Sequence, residues 1–393
     1  MSGQVVVNGW FWGQLATGSG QYLHALARHL PQIDASVSYT LVLPKARFPD
    51  EPVDGLKTPD SWRSLRVATP FDRVNENLAK VWFEQVAFPR ACRQTKADVA
   101  FVPYWGSPGW QPCRTAVTVH DLIPLVLPAY RGGLSQRLYT RLVSWTARRA
   151  NVVLTDSQSS RRDIIRYLHI PEERVHAILL AADEQYRPIT DPAELRRVQQ
   201  KYHLPSRFIL YLGGFDVRKN VPQLVRAYAR FLREQDRGQD LGDLGRHPKS
   251  GEIPFLVIAG KLPKADTDFT PDPRRVVAEE GIADQVQFTG WVDETDKPAL
   301  YSLASLFVFV SLYEGFGLPV AEAAACGTPV LTSNRSSLPE ADPAACLVDP
   351  EDDAALAQGI ARVLTEQRIL GNGLSRGWQQ VAQETWRAWQ PSQ

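Results

Sequence analysis

Net charge is what this sequence most clearly lacks: 44 Lys and Arg are offset by 43 Asp and Glu, leaving a formal charge of +1. No global field favours a polyanion, so nucleic acid is not an expected partner. Cysteine is scarce. Cys92, Cys113, Cys326 and Cys346 lie far apart without metal-ligand spacing, and reduced thiols in a cytoplasmic protein are the expectation. No stretch reaches the ~20 consecutive apolar residues that a spanning helix needs. The opening MSGQVVVNGWFWGQ has no basic segment followed by a long apolar run, which argues against a signal peptide. Clustered Asp/His spacing of the kind that holds a metal is missing as well.

The 393 residues, 44% hydrophobic and 22% charged, suffice for two cored domains of about 190 residues each. In the first, strand signals at 4–8, 39–43, 64–68, 98–102, 116–120 and 151–155 alternate with helical patterns such as 21–30 and 134–150. That alternation predicts an open, mostly parallel α/β sheet, whose ligands collect beyond the carboxyl ends of its strands. Thr17–Tyr22 (TGSGQY) follows the first such end, ahead of a helix expected over 23–30. Gly18 and Gly20 there either let a ligand approach the backbone or simply make a turn. Trp10–Trp12 before it can line an acceptor cleft or be buried. His120-Asp121 ends another strand, placed for proton handling or for hydrogen bonding to hydroxyls, or else satisfied within its own loop. The helix at 134–150 carries Leu134, Leu138, Leu142 and Trp145 on one face beside Arg137, Arg141 and Arg148, and 131–149 holds five arginines and no acid. Such a helix can lie on an anionic membrane, or pack its leucines on the sheet and leave the arginines in water. Asp156 and the serines around it read as caps of the helix that follows.

After a polar, proline-marked span, a new strand begins at 205–212 and opens the second domain. The strand leads through Gly213, Gly214, Arg218 and Lys219 into a helix, and two cations at a glycine turn make a good diphosphate clamp. A polar stretch, 235–252, is expected as a loop. Gln287–Val292 (QFTGWV) ends a further strand, where backbone groups can hold a base by its edge. The most informative stretch is 310–340, VSLYEGFGLPVAEAAACGTPVLTSNRSSLPE: a buried strand, a glycine turn at Glu314–Leu318, a helix with Pro319 near its start, Gly327 at its end, and another strand. This is a phosphate-binding layout with two glutamates beside it, Glu314 and Glu322. The expected division is a first domain at 1–190, a second at 205–370, and a last helix within 371–393 returning to the first.

EGFGLPVAEAAACGTPV with its paired Glu314 and Glu322, together with VRKN, QFTGWV, HDLIP, TGSGQY and SNRSSLPE in the same order, resembles the retaining glycosyltransferases of family 4 across nearly the whole chain. The resemblance implies the GT-B fold, two Rossmann-like, doubly wound parallel-sheet domains facing an interdomain cleft. It implies a nucleotide-diphosphate sugar, GDP- or UDP-linked, as donor substrate, no cofactor and no metal. It implies transfer of a sugar such as mannose to a glycan or lipid-linked acceptor in surface-polysaccharide synthesis. Glu322 would then accept hydrogen bonds from the ribose, and Glu314 would lie near the sugar and its phosphate. Arg218, Lys219 and the amides of Gly315, Phe316, Gly317 and Leu318 would stabilise the diphosphate, with Gly18, Gly20 and Gly214 close by. Gln287, Thr289 and Gly290 would touch the base, and His120 would face the transferred sugar. No enzymic nucleophile is implied. Many relatives carry an arginine directly after a glycine at the first strand's end; here Gly214-Phe215 stands there and the arginine is Arg218. The same resemblance suits a cytoplasmic protein, peripheral at the inner face of a membrane through 131–149. A contrasting expectation is an inactive nucleotide- or glycan-binding relative supporting a partner enzyme.

Overall fold

The computed structural model describes residues 3–14, 17–48, 61–240, 253–366 and 376–390. These form two compact units, one of residues 1–180 with 377–393, the other of 181–376. The chain begins with β1 (Gln4–Asn8), α1 (Gly18–His29), β2 (Ser38–Pro44), β3 (Trp62–Val67), α2 (Glu76–Trp82), α3 (Phe88–Gln94) and β4 (Val99–Val102). Then come β5 (Arg114–Thr118), α4 (Ile123–Val126), α5 (Leu134–Ala147), β6 (Val152–Thr155), α6 (Gln158–Leu168) and β7 (Val175–Ala177). Among the described residues the sheet is seven-stranded in the order β3-β2-β1-β4-β5-β6-β7, with every pairing parallel. Its central strands are continuous apolar runs because helices cover both faces. The order reverses between β1 and β4, and the carboxyl ends of those two strands therefore frame a crevice.

The second unit holds α7 (Pro192–Lys201), β8 (Phe208–Leu212), α8 (Val221–Asp240), β9 (Phe255–Ala259), α9 (Pro273–Glu279), β10 (Val286–Gly290) and α10 (Lys297–Leu303). It continues with β11 (Leu306–Phe309), α11 (Leu318–Ala325), β12 (Val330–Ser333), α12 (Leu338–Ala341), β13 (Cys346–Val348) and α13 (Asp353–Glu366). Its parallel sheet runs β10-β9-β8-β11-β12-β13, with the reversal between β8 and β11. Helix α8 continues through residues expected as loop, as far as Asp240; the rest of that stretch lies outside the described residues. The last helix, α14 (Trp378–Trp389), belongs to the first unit. Trp389 packs on Phe101 at a ring distance of 4.8 Å, and its carbonyl accepts from Arg114 Nε at 2.8 Å.

Two local expectations are corrected. Helix α1 starts at Gly18 rather than after Tyr22, because the Thr17 hydroxyl caps it, accepting from Gly20 N at 3.2 Å. Gly20 is thus a helical residue. A Cβ on it would meet the Gln14 carbonyl oxygen at 2.1 Å, so glycine is required there by packing. On α5 the buried face is the small one, Thr140, Val143, Ser144, Thr146 and Ala147. The leucine face expected to cover the sheet points outward, with Leu134 76%, Leu138 54% and Trp145 48% exposed.

Gly18 separates from Gly20 in a thermal melt. A Cβ at Gly18 meets nothing within 4 Å, so Gly18→Ala is expected to leave stability unchanged or raise it by up to ~1 kcal/mol. Gly20→Ala is expected to cost about 1–3 kcal/mol, since backbone must shift to admit the methyl group.

Candidate active site

The reversal point of the second sheet gathers the strongest cluster of charge. β8 ends at Leu212 and the chain turns through Gly213 and Gly214 to Arg218 and Lys219; β11 ends at Phe309 and leads to Glu314. The two turns are tied by backbone, Leu312 N donating to Arg218 O at 2.8 Å. Side chains complete the tie. Lys219 Nζ reaches one oxygen of Glu314 at 2.7 Å, Arg218 Nη1 pairs with the other, and Arg218 also donates to the Tyr313 carbonyl at 3.1 Å. All three side chains are only 12–13% exposed. Burial alone would push the Glu314 carboxyl up, but Lys219 and Arg218 outweigh it and hold the group below its ordinary value. Asp216 adds a second carboxylate, 3.4 Å from Arg218 Nε. The two cations are therefore poised on exchangeable carboxylate oxygens.

The turn after Glu314 is fixed by SNRSSLPE. Ser336 Oγ donates to the Glu314 carbonyl at 2.7 Å and accepts from Glu314 N at 3.1 Å; Ser337 Oγ lies within donating distance of the Glu314 and Phe316 carbonyls. Gly317 then adopts φ +103°, where a side chain is strained, and a Cβ would also meet Leu338 Cδ2 at 2.6 Å. This left-handed residue caps α11, its carbonyl accepting from Val320 N at 2.9 Å and Ala321 N at 3.3 Å. The Phe316 side chain is buried, so that residue offers backbone only.

Glu322, one turn into α11, is 6% exposed and accepts from Tyr301 Oη at 3.0 Å. Burial pushes its carboxyl up to about 7, against the pull of Lys297 and the Tyr301 and Tyr186 hydroxyls. Near neutrality it is divided between its charged and uncharged forms. Gln287 lies on the edge strand β10, but its amide donates to the Tyr202 and His203 carbonyls at 2.9 and 3.1 Å. The structure turns that side chain inward on its own unit. Thr289 and Gly290 close the same strand, with Gly290 O accepting from Gly260 N at 2.8 Å.

In the first unit the His120-Asp121 pairing expected from sequence is replaced by another. His120 Nδ1 lies 2.7 Å from Asp156 Oδ2, while Asp121 accepts from Ile123 N at 2.9 Å. The sequence places Asp156 among serines that cap α6, and only the adjacency of β5 and β6 brings it to His120. His120 Nε2 faces the Pro103 carbonyl at 3.2 Å. Two acceptors on two ring nitrogens can both be satisfied only by the doubly protonated ring. Burial opposes that charge, but Asp156 prevails and raises the imidazole above its ordinary range. Gly18 and Gly20 stand in the first turn of α1, whose Tyr22 ring meets His120 edge-on at 5.1 Å.

Residues 194–381 match the model described as glycosyl transferases group 1, and residues 16–186 match glycosyltransferase family 4. O-antigen chain mannosyltransferase B of Escherichia coli is 33% identical over 276 residues, 70% of this chain and 67% of that protein. Serotype-specific mannosyltransferase WbdA of Escherichia coli is 32% identical over 282 residues, 70% of this chain but only 32% of that longer protein. Among solved structures, HepE of Anabaena in complex with UDP-glucose superposes with a TM-score of 0.65, covering 97% of this chain and 94% of that one at 16% identity. At that identity the likeness is one of fold.

Asp156→Asn is expected to reverse the sign of the His120 shift. With the carboxylate gone, burial dominates and the imidazole should titrate below its ordinary 6.5, whereas in the parent it titrates above. A group raised in the folded state adds stability below its unfolded pKa and loses that contribution as pH rises through the folded one. The parent should therefore lose this increment on going from pH 6 to pH 8, and the variant should not. His120 ring resonances followed by NMR, with melts across the same range, measure both.

Proposed function

The chain belongs to the family 4 glycosyltransferases of GT-B fold, and from that premise we propose that it transfers mannose from a nucleotide-diphosphate sugar to a glycan or lipid-linked acceptor, with retention of anomeric configuration and without a metal. The observation that carries this reading is the Arg218–Glu314–Lys219 clamp at the β8/β11 reversal, directly before a helix N-terminus. A diphosphate entering there would exchange carboxylate oxygens for phosphate oxygens on both cations, without their moving far. Its charge grows as the glycosidic bond breaks, and preorganised cations and amides act most strongly on that growing charge. The amides of Gly315–Leu318 would share it, and Gly214, with only Asp216 within 4 Å of a Cβ, leaves room for close approach.

Glu322 in its charged form would accept from the ribose hydroxyls, oriented by Tyr301. Thr289 and Gly290 would meet the base through backbone, and Gln287 would support that edge through its bonds to Tyr202 and His203. The leaving phosphate would take the acceptor proton on the same face of the sugar, so no residue is assigned as nucleophile. His120, its imidazole raised by Asp156 against the effect of burial, would serve as a donor to sugar hydroxyls after giving up the Pro103 carbonyl. Gly18, with nothing within 4 Å of a Cβ, would keep the start of α1 clear for the donor, while Gly20 would hold that turn by its packing on Gln14. Mannose is supported by the two Escherichia coli mannosyltransferase relatives, and the nucleotide-sugar donor by the UDP-glucose held by HepE.

The same proposal extends to a surface of the first unit. No helix among the described residues is long and apolar enough to cross a membrane. Leu134, Leu138 and Trp145 nonetheless stand out from α5, with Arg149 stacked on Trp145 at 4.9 Å. Trp110, 47% exposed, carries Arg93 over its ring at 5.2 Å. Exposed apolar side chains interleaved with arginines suit the headgroup layer of an anionic bilayer at the cytoplasmic face.

Two outcomes are expected. A thermal-shift panel of GDP, UDP, TDP and ADP should find one nucleotide that stabilises the chain by about 2.7 kcal/mol at ~100 times its dissociation constant. Its affinity should tighten as pH rises through about 7, where Glu322 ionises, and Glu322→Gln should flatten that dependence. Stabilisation by none of the nucleotides, with no turnover of GDP- or UDP-sugars, would overturn the reading. Separately, replacing Arg137, Arg141 and Arg148 together by Gln should weaken co-sedimentation with phosphatidylserine vesicles at least tenfold at low salt. Unchanged binding would remove the membrane contact.

A further inference from the structure

Two left-handed residues other than glycine bracket the Glu314 clamp, and both are tied to the short segment that follows β13. Asn220, at φ +58°, ends the single turn Val217–Lys219 that carries the two cations. Asparagine tolerates this conformation. Its Nδ2 donates to the Pro350 carbonyl at 2.7 Å and to the Val310 carbonyl, just past β11, at 3.4 Å. Ser336, at φ +56°, is the residue whose hydroxyl meets both N and O of Glu314. Serine has little preference for that region, and such backbone persists only where its surroundings fix it. One residue earlier, Arg335 Nη2 donates to Asp349 Oδ1 at 2.8 Å and Nη1 pairs with Glu351 Oε2 at 2.6 Å. The Arg335 N–H is taken as well, by Ser333 Oγ at 3.1 Å.

Asp349, Pro350 and Glu351 thus receive a tie from each arm of the clamp: the turn after β8, and the Glu314 turn through Ser333–Ser337. A third tie comes from α8, where Gln223 Nε2 donates to the Glu351 carbonyl at 3.3 Å and to Asp353. The segment is held in shape by its own bonds, Asp349 Oδ1 accepting from Glu351 N at 3.0 Å, and Asn334 N donates to the Val348 carbonyl at 2.9 Å just ahead of it. Stability alone does not explain the arrangement. Arg335, Asp349 and Glu351 are 39%, 47% and 63% exposed, and ion pairs at such exposure contribute little to folding. Direction is what they supply. A guanidinium reaching two carboxylates fixes an orientation as well as a charge, and a charged group held out of line with its ligand forfeits much of its effect.

We propose that Asp349–Glu351 is the positioning element of the clamp, acting through Asn220 on Arg218 and Lys219 and through Arg335 and Ser336 on the Glu314 turn. This deepens the glycosyltransferase reading and rests on it for the diphosphate. Asn220 and Arg335 touch no ligand; they are positioning residues that set the distance between the two cations and the turn facing them.

Ligand-observed NMR on the full chain tests the role, with inorganic pyrophosphate, GDP, UDP, guanosine and uridine as probes. Asn220→Gly keeps the left-handed backbone but loses both donated bonds; Arg335→Met loses both ion pairs, and Arg335→Lys keeps the charge without the fork. Asn220→Gly and Arg335→Met should each weaken pyrophosphate and the bound nucleotide by about tenfold. Arg335→Lys should fall between Arg335→Met and the parent. The matching nucleoside should bind all variants alike, and Arg335→Met should melt where the parent does. The double variant should lose less than the product of the two single losses, because both act through one segment. The proposal is overturned if the variants bind pyrophosphate like the parent, if the losses simply multiply, or if nucleoside binding falls alongside, as a general loosening of the unit would cause. A parent that binds neither pyrophosphate nor nucleotide overturns it together with the clamp. Variants that match the parent in a chain that turns over a sugar nucleotide sink the positioning role alone. Pyrophosphate binding that depends on Asn220 and Arg335, in a chain that turns over no sugar nucleotide, upholds it and sinks the transferase reading instead.

Discussion

The carboxylate of Glu314 between Arg218 and Lys219 is the interaction on which the second unit's chemistry depends. It joins the turns after two neighbouring strands that are nearly a hundred residues apart in sequence, at the point where the strand order reverses. Two buried cations without a counter-charge would be costly, and a buried carboxylate without cations equally so. Together they make a site that is charged and largely buried, with each charge paired.

Around that clamp the structure spends polar groups on holding backbone. Ser336 and Ser337 fix the carbonyls of the Glu314–Phe316 turn, and Gly317 allows α11 to begin immediately afterwards. Tyr301 orients Glu322. In the first unit, Asp156 does the same for His120. Each functional side chain is thus set by a neighbour from another element, which is how a site is held to fractions of an ångström.

The two sheets share one logic. Each is wholly parallel, each reverses its order once, and each collects titratable groups at that reversal. In the second unit the reversal carries paired charge suited to phosphate. In the first it carries aromatic rings around a partly exposed lysine, Lys80, and a buried carboxylate, Glu84. His120 and Asp156 lie farther along the first sheet, at the ends of β5 and β6, and form a separate pair. Helix α5 joins both themes, since it supplies Tyr139 to the crevice and turns its leucines and Trp145 to solvent.

Strand periodicity, glycine turns and the run from Glu314 to Glu322 were legible in the sequence because they are local. Alternating apolar strands and helices can pack in few ways, and a glycine followed by proline and a helix constrains its own backbone. What was not legible depended on which strands become neighbours. Asp121 stands beside His120 in the chain, yet Asp156 reaches the imidazole, because β5 and β6 are adjacent and a side chain one residue away points elsewhere. The leucines of α5 have the right period for a core face, but the helix buries its small residues, which allow the closer approach. Lys80 and Glu84 form an unremarkable i, i+4 pair in sequence; only the convergence of β1, β4 and α5 surrounds them with rings. Local spacing specifies the elements, their order and the family's glutamate motif. Folding selects which charges meet and which are buried, because desolvation and pairing depend on distances that no local spacing encodes.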